Sequence, residues 1–208
     1  MFIKKSLLYT ERSAEKREKY LNEIKHTKKE DLVYIDESGI DHNIIKETCW
    51  AEKGKKIIGN RNGGIKIRTS IIAALNCDNI NAPIRLQGST TTEIFLLWVE
   101  QFLIPSLRPN QVVIMDNASF HRNIKIRQLI ENAGCSLIYL PPYSPDLNPI
   151  ENYWSVLKKY IKKTRHKFDN FFDAIDHALQ HPKRHFQSWS TIEYAVFLNP
   201  GTDNIDCA

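Results

Sequence analysis

The chain has 208 residues, 42% of them hydrophobic and 25% charged, with a formal charge of +5. That supports one large domain, or one domain with extensions, and favours a polyanionic partner. The longest apolar stretch, Ile94 to Val99, is too short to span a bilayer, the start is too short in hydrophobics for a signal peptide, and Cys49, Cys77, Cys135 and Cys207 form no C-x-x-C pair, so a membrane span, a secretory leader, a zinc site and a disulfide framework are all disfavoured. A soluble cytoplasmic protein with reduced thiols is expected.

Residues 1–30 carry nine Lys/Arg against five Asp/Glu. From Glu11 to Lys29 they suit a polar helix, weakly amphipathic at Tyr20, Leu21 and Ile24. It reads as a solvated helix or linker, in preference to a DNA-contacting arm, with the folded domain beginning at Asp31. Leu32–Asp36 is a short apolar run of the kind found in central, doubly covered strands. Thr48–Ala51 is a second strand candidate. Lys53–Arg68 holds six Lys/Arg, four glycines and no acid, and reads as a basic loop or hairpin tip. Ile65–Leu75 is a β-branched strand. Thr90 to Glu93 form a capping box that opens a helix through Ile94, Phe95, Trp98, Phe102 and Leu103, ending near Pro105. Val112–Met115 is a strand that stops at Asp116. Asn123–Ala133 is a helix closed by Gly134, and Ser136–Leu140 another strand. The loop P-P-Y-S-P-D-L-N-P leads into a helix from Pro149 to about Lys163, and Phe168–Leu179 is one more. Strands first, then strands alternating with helices, give an α/β mixed sheet with helices on its faces. The domain is taken as 31–180, with a tail over 181–208.

Three acids stand at the ends of predicted elements. Asp36 closes L-V-Y-I-D, Asp116 closes V-V-I-M-D, and Glu151 opens the helix after the proline loop, with 34 residues between the last two. A carboxylate in such a place needs a cation, a donor or water. Three together would repel one another unless they held divalent metal, and paired metals are the standard apparatus for cutting and joining phosphodiesters. Each acid also has a structural reading. Asp116 can cap the turn that follows it, a job Asn117 and Ser119 could share. Glu151 can bond back to the Asn148 amide at the helix start. Asp36 is followed by Glu37, and either could be the inward acid. The helix pattern adds that Ile150, Tyr153, Trp154, Leu157, Tyr160 and Ile161 share one arc, while Lys158 and Lys162 lie on nearly the same bearing as Glu151. That row can hold phosphates beside the acid, or be an ordinary solvated face.

Y-I-D-E-S-G, M-D-N-A-S-F-H and L-P-P-Y-S-P-D-L-N-P-I-E-N-Y-W resemble the catalytic signatures of mariner-type transposases, most closely the bacterial insertion-sequence branch known as the six-thirty family. The resemblance runs from about Leu7 to about Leu179. It implies a ribonuclease-H-like fold, a mixed β-sheet flanked by helices, and a D-D-E triad whose spacing of 34 residues between the second and third acids is matched here. Carried over, the triad is Asp36, Asp116 and Glu151, which favours Asp36 over Glu37 and sets Asp146 aside. Asn117 and His121 belong to the second motif in supporting roles.

The implied activity is DNA cleavage and strand transfer during transposition, with two Mg²⁺ ions held by the triad and Mn²⁺ able to substitute. The implied partner is DNA, as element ends and target, with phosphate contacts expected from Lys53, Lys55, Lys56, Arg61, Lys66, Arg68, Lys158 and Lys162. A homodimer assembled on DNA, on the bacterial nucleoid in the cytoplasm, is expected. Such transposases carry a helix-turn-helix region that reads terminal repeats; here only the charged segment precedes the domain, which implies a separately encoded reading part or a fragment. The tail departs from the family's usual ending. A nuclease of the same fold that cuts without joining, and an inactive DNA-binding remnant, are the alternatives. Relief of repulsion among the acids is expected to make Asp116→Asn neutral or stabilising in the absence of metal.

Overall fold

The structure is a computed structural model and describes residues 11–42, 52–54 and 68–180. The predicted strand Thr48–Ala51, most of the basic stretch Lys53–Arg68, and the tail lie outside the described residues.

Five strands form one sheet in the order β3-β2-β1-β4-β5. They are β1 (Leu32–Asp41), β2 (Arg68–Asn76), β3 (Asn79–Gln87), β4 (Val112–Met115) and β5 (Ser136–Tyr139). The first three pair antiparallel, and β4 and β5 join parallel to β1. The helices are α1 (Ala14–Ile24), α2 (Thr92–Trp98), α3 (Ile104–Ser106), α4 (Ile124–Asn132), α5 (Pro149–Thr164) and α6 (Phe171–Gln180). The predicted mixed α/β sheet is present.

Alternation along the strands divides the core between two faces. Val33, Ile35, Ile72, Ala74, Val113 and Met115 face Phe95, Trp98, Val99, Leu103, Ile126 and Ile130. The intervening residues Ile40, Ile71, Ala73 and Leu75 face the opposite way, onto Ile150, Tyr153, Trp154, Leu157 and Ile161 of α5 and Phe171, Ile175 and Ala178 of α6. Because the pleat has a period of two, neighbouring Asp36 and Glu37 are sent to opposite faces.

Several expectations are corrected. Asp36 does not end its strand: β1 pairs with β2 as far as Asp41↔Arg68, whereas its pairing with β4 stops at Tyr34↔Ile114. Asp36 therefore sits just past the point where the β4 side of β1 comes free. The helix after the second hairpin is capped by Thr91, whose hydroxyl accepts from Ile94 N at 3.3 Å, and not by Thr90. That helix passes through a π-helical turn at Val99–Leu103, which carries Phe102 out to 46% exposure. Strand β3 was not predicted. It is an edge strand containing Pro83, where proline is tolerated, and it is bulged opposite Ala73. At the bulge Ala82 takes φ +51°, and its carbonyl accepts the Trp98 indole N–H at 2.8 Å.

The expected helix is present as α1, largely exposed but docked on the domain through one face. Tyr20 is buried on Ile114, Leu140 and Leu147, with Leu21 and Ile24 packed beside it. Arg17, 8% exposed, makes a bidentate pair with Asp146 of the proline loop at 3.0 and 2.7 Å. Planar two-bond pairing is the strong form of this contact, though Asp146 is half exposed. Arg17→Ala should therefore cost about 1–2 kcal/mol, most of it through lost packing under α1, as read by urea denaturation. A change below about 0.3 kcal/mol would show that the pair is ornamental.

Candidate active site

Asp116 follows β4 directly and is half exposed. Its Oδ1 accepts the Ala118 backbone N–H at 3.0 Å and also meets His121 Nδ1 in a short contact. The turn-capping role is thus present, served by one oxygen of the same side chain that meets His121. His121 is fully buried and packed on Phe95. Its other nitrogen, Nε2, meets Glu37 Oε1 at 3.0 Å. Burial pushes His121 down, but its bonds to Asp116 and Glu37 outweigh that and raise it to about 9. The two acids thus favour the charged form of the imidazole clamped between them. Burial likewise pushes Asp116 up, and the His121 contact with the Ala118 N–H more than reverses it, leaving Asp116 below its usual range.

Glu37 thus faces the His121 side of the sheet and Asp36 the α5 side. Asp36 is 8% exposed, and the Trp154 indole N–H donates to its Oδ2 at 3.0 Å. Burial is the main cause that raises Asp36 to about 8, and the charges of Glu151, Glu37 and Asp116 add to it.

Glu151 lies in the first turn of α5 with its side chain exposed. The capping-box reading does not hold, because the Asn148 amide donates to the Pro145 carbonyl at 3.0 Å. The Asn148 side chain makes no cap bond, and its Oδ1 is buried without a partner. Burial raises Glu151, Lys158 lowers it, and Asp116 raises it again. Asp36, Asp116 and Glu151 therefore sense one another's charge, and Lys158 faces Glu151 as its helical bearing implied.

The other cationic candidates among the described residues are exposed. Lys162 is exposed in the last turn of α5, and Lys53 is exposed. Arg68 is exposed at the start of β2, its guanidinium laid across Gly39 where any Cβ would collide with it. Lys55, Lys56, Arg61 and Lys66 lie outside the described residues. Asn117 serves the turn: its carbonyl accepts from Arg122 at 3.2 Å. Sequence reasoning missed the bonds of Trp154 to Asp36 and of Glu37 to His121. The first had a signal in the spacing of Glu151 and Trp154, three apart and so on neighbouring positions of one helix face.

Among the described residues, no three His, Cys, Asp or Glu side chains close into a ready-made metal cage. The donors are nonetheless those that hard divalent cations take: carboxylate oxygens, one of them buried, with burial first and its acidic neighbours second opposing its charge. A cation there would remove the repulsion, so these residues fit a divalent metal.

The clamp carries a prediction. His121→Ala would leave Glu37, 17% exposed, facing Asp116, 49% exposed, across a cavity with no cation between them. The expected loss is roughly 2–4 kcal/mol in urea denaturation, below the fully buried range because Asp116 is partly solvated. A loss under about 1 kcal/mol would show that the ion triad is not structural.

The sequence model of the family described as DDE superfamily endonuclease matches residues 31–173. Among curated proteins, the uncharacterized protein y4pE/y4sA of Sinorhizobium fredii (strain NBRC 101917 / NGR234) is 35% identical over 66 residues, 32% of this chain and 46% of that protein. Among solved structures, the mariner Mos1 paired-end complex with Mg is similar at TM-score 0.60 and 14% identity, over 88% of this chain and 65% of that one. The Mos1 strand transfer complex gives 0.57 and 15%, over 96% and 67%. The Mos1 catalytic domain with raltegravir and Mg gives 0.53 and 15%, over 88% and 85%. This likeness shows the fold, which is ribonuclease-H-like. The chain spans less than half of its curated relative, and about two thirds of the Mos1 chains in the two assembled complexes. No helix among the described residues is long and apolar enough to cross a membrane.

Proposed function

The chain belongs to the DDE superfamily endonucleases, and we propose that it is the catalytic domain of a transposase that cuts DNA at element ends and joins the freed 3′-ends to target DNA. The observation that carries this reading is the family match over residues 31–173, which spans Asp36, Asp116 and Glu151, and it is supported by the charge these acids exert on one another, with Lys158 acting on the third. In this reading the three carboxylates hold two Mg²⁺ ions, with Mn²⁺ able to substitute. When bound, such ions lower the pKa of a nucleophilic water or 3′-hydroxyl and stabilise the leaving oxygen.

The chain's own residues do the rest. His121 keeps Asp116 ionised and aimed, so its charge is in place before any cation arrives. The proline loop, clamped by Arg17, fixes the start of α5 and thus the approach of Glu151. Lys158, and further along Lys162, receive the phosphates that flank the scissile bond, and Arg68 offers a third cationic contact. Such contacts hold the backbone and carry no sequence information. The finer placement in the bacterial insertion-sequence branch, a separately encoded helix-turn-helix partner, a homodimer on DNA and a nucleoid location belong to the same proposal and rest on the resemblance of the signature motifs.

The experiment is a strand-transfer assay with a pre-cleaved 3′-end and supercoiled target in Mg²⁺. A joined product supports transposition; cutting without joining favours the nuclease reading. DNA binding by the 208 residues should be weak, indifferent to terminal repeats and steep in salt, with a log–log slope of about −0.9 per phosphate contacted. Replacing Lys158 and Lys162 together should flatten that slope by roughly one to two units. An unchanged slope would remove α5 from the DNA path.

A further inference from the structure

We infer that Trp154 is a positioning residue for Asp36: its indole N–H holds Oδ2, which, with a second bond from the Glu37 backbone N–H to the same carboxylate, fixes the orientation in which Asp36 meets a divalent cation. This rests on the reading of Asp36 as a metal ligand. The contact is 3.0 Å long and buried, between residues 118 apart in the chain. Trp154 is 1% exposed, and its ring is held edge-on by Tyr153 at 5.3 Å within the cluster that includes Ile40, Ile71, Ala73 and Leu157. The ring has no room to swing, so the direction of its N–H is fixed by packing.

A tryptophan that only fills a core can satisfy its N–H on a backbone carbonyl, and Trp98 does so with Ala82. Trp154 instead directs it at an acid surrounded by other acids. It also stands three residues on from Glu151, so α5 delivers the third acid and the brace for the first in one element. A metal ligand braced from behind keeps its orientation, and loss of such a partner typically weakens metal binding 10–100-fold. With Oδ2 engaged, Asp36 is biased toward one-oxygen ligation. That suits Mg²⁺, which demands near-ideal octahedral geometry, more than Ca²⁺, which readily takes two oxygens of one carboxylate. Trp154 would thus weigh the site toward the smaller ion.

The test compares wild type with Trp154→Phe and with the chain carrying β-(3-benzothienyl)alanine at position 154, which keeps the bicyclic shape and lacks the N–H. Mg²⁺ and Ca²⁺ binding are measured on the DNA-free protein by calorimetry and by metal-dependent melting. Expected is a Kd for Mg²⁺ weakened about 10–100-fold in both variants, with Ca²⁺ affected much less. In cleavage assays the Mg²⁺ needed for half-maximal rate should rise while KM for DNA holds. If Trp154→Phe fails to fold, the isosteric variant decides. Wild-type Mg²⁺ affinity in the isosteric variant would overturn the inference and leave the proposed function standing. Failure of the wild-type chain to bind Mg²⁺ or to cleave DNA would overturn both.

Discussion

Asp36→Asn and Asp116→Asn should both abolish DNA cleavage and joining, yet move the melting temperature in opposite directions. Under the proposed metal-holding role, loss of either carboxylate removes several kcal/mol of charge stabilisation, so cleavage should fall at least about a thousandfold. The stabilities diverge because the two acids have opposite surroundings. Asp36 is buried among Glu151, Glu37 and Asp116, and its charge is opposed by the metal-free fold. Its amide should raise metal-free stability, provided the Trp154 N–H still finds the side-chain oxygen. Asp116 is bonded to a buried imidazolium and to the Ala118 N–H. Its amide should lower stability by about 1–3 kcal/mol. The stabilisation expected from sequence for Asp116→Asn thus belongs at Asp36. Thermal melts without metal, paired with a cleavage assay in Mg²⁺, check both halves. Equal destabilisation by the two substitutions would remove the claim that Asp36 is held against its charge.

The second large effect is a metal-dependent pH profile. Asp36 titrates near 3.8 when unfolded and about 8 when folded. Between those values the folded chain holds a proton that the unfolded chain has lost. Metal-free stability should therefore fall as pH rises through that window and level off above it. The drop attributable to Asp36 is on the order of 2–5 kcal/mol. His121 adds to it in a later window. Its folded value of about 9 lies above the ordinary 6.5, so its contribution is complete below 6.5 and is lost as pH passes 9. Mg²⁺ requires the ionised carboxylate, so its binding should release a proton near pH 7 and stabilise more as pH rises. Saturating Mg²⁺ should flatten the acid-side slope, and Asp36→Asn should flatten it without metal. A metal-free profile flat from pH 5 to 8 would contradict the burial of this charge.

Much of the sheet was legible because its signals are local. Val112–Met115 occupies the predicted span, since a four-residue apolar run stopped by an acid has few other readings. The α4 boundaries follow from Asn123 at the cap and Gly134 at φ +73°. The α5 arc follows from its apolar spacing, with Ile150, Tyr153, Trp154, Leu157 and Ile161 all buried. What stayed hidden depends on pairing between distant segments. The second half of β1 is held by β2, not by its own propensity, so Ser38 and Gly39 gave no sign of a strand. The alternation of Ile80, Ala82, Ile84 and Leu86 was masked by Pro83 and by a bulge that only the neighbouring strand explains. The π-turn that turned Phe102 outward carries no composition of its own. At the site, the motifs name the three acids proposed as the triad. The division of labour between Asp36 and Glu37 was fixed by which face each meets, which a linear pattern cannot assign.

The docking of α1 sets where this molecule can be cut and rejoined. The family match starts at residue 31, but Arg17 reaches from upstream of that point to Asp146, on the loop that delivers Glu151. A chimera that grafts a foreign DNA-reading part at Asp31 would discard the clamp and leave Ile114, Leu140 and Leu147 without their cover. A graft made ahead of Ser13 would keep the strut. Anything joined ahead of α1 would then be tied, through one short helix and the Arg17–Asp146 pair, to the loop that leads into Glu151.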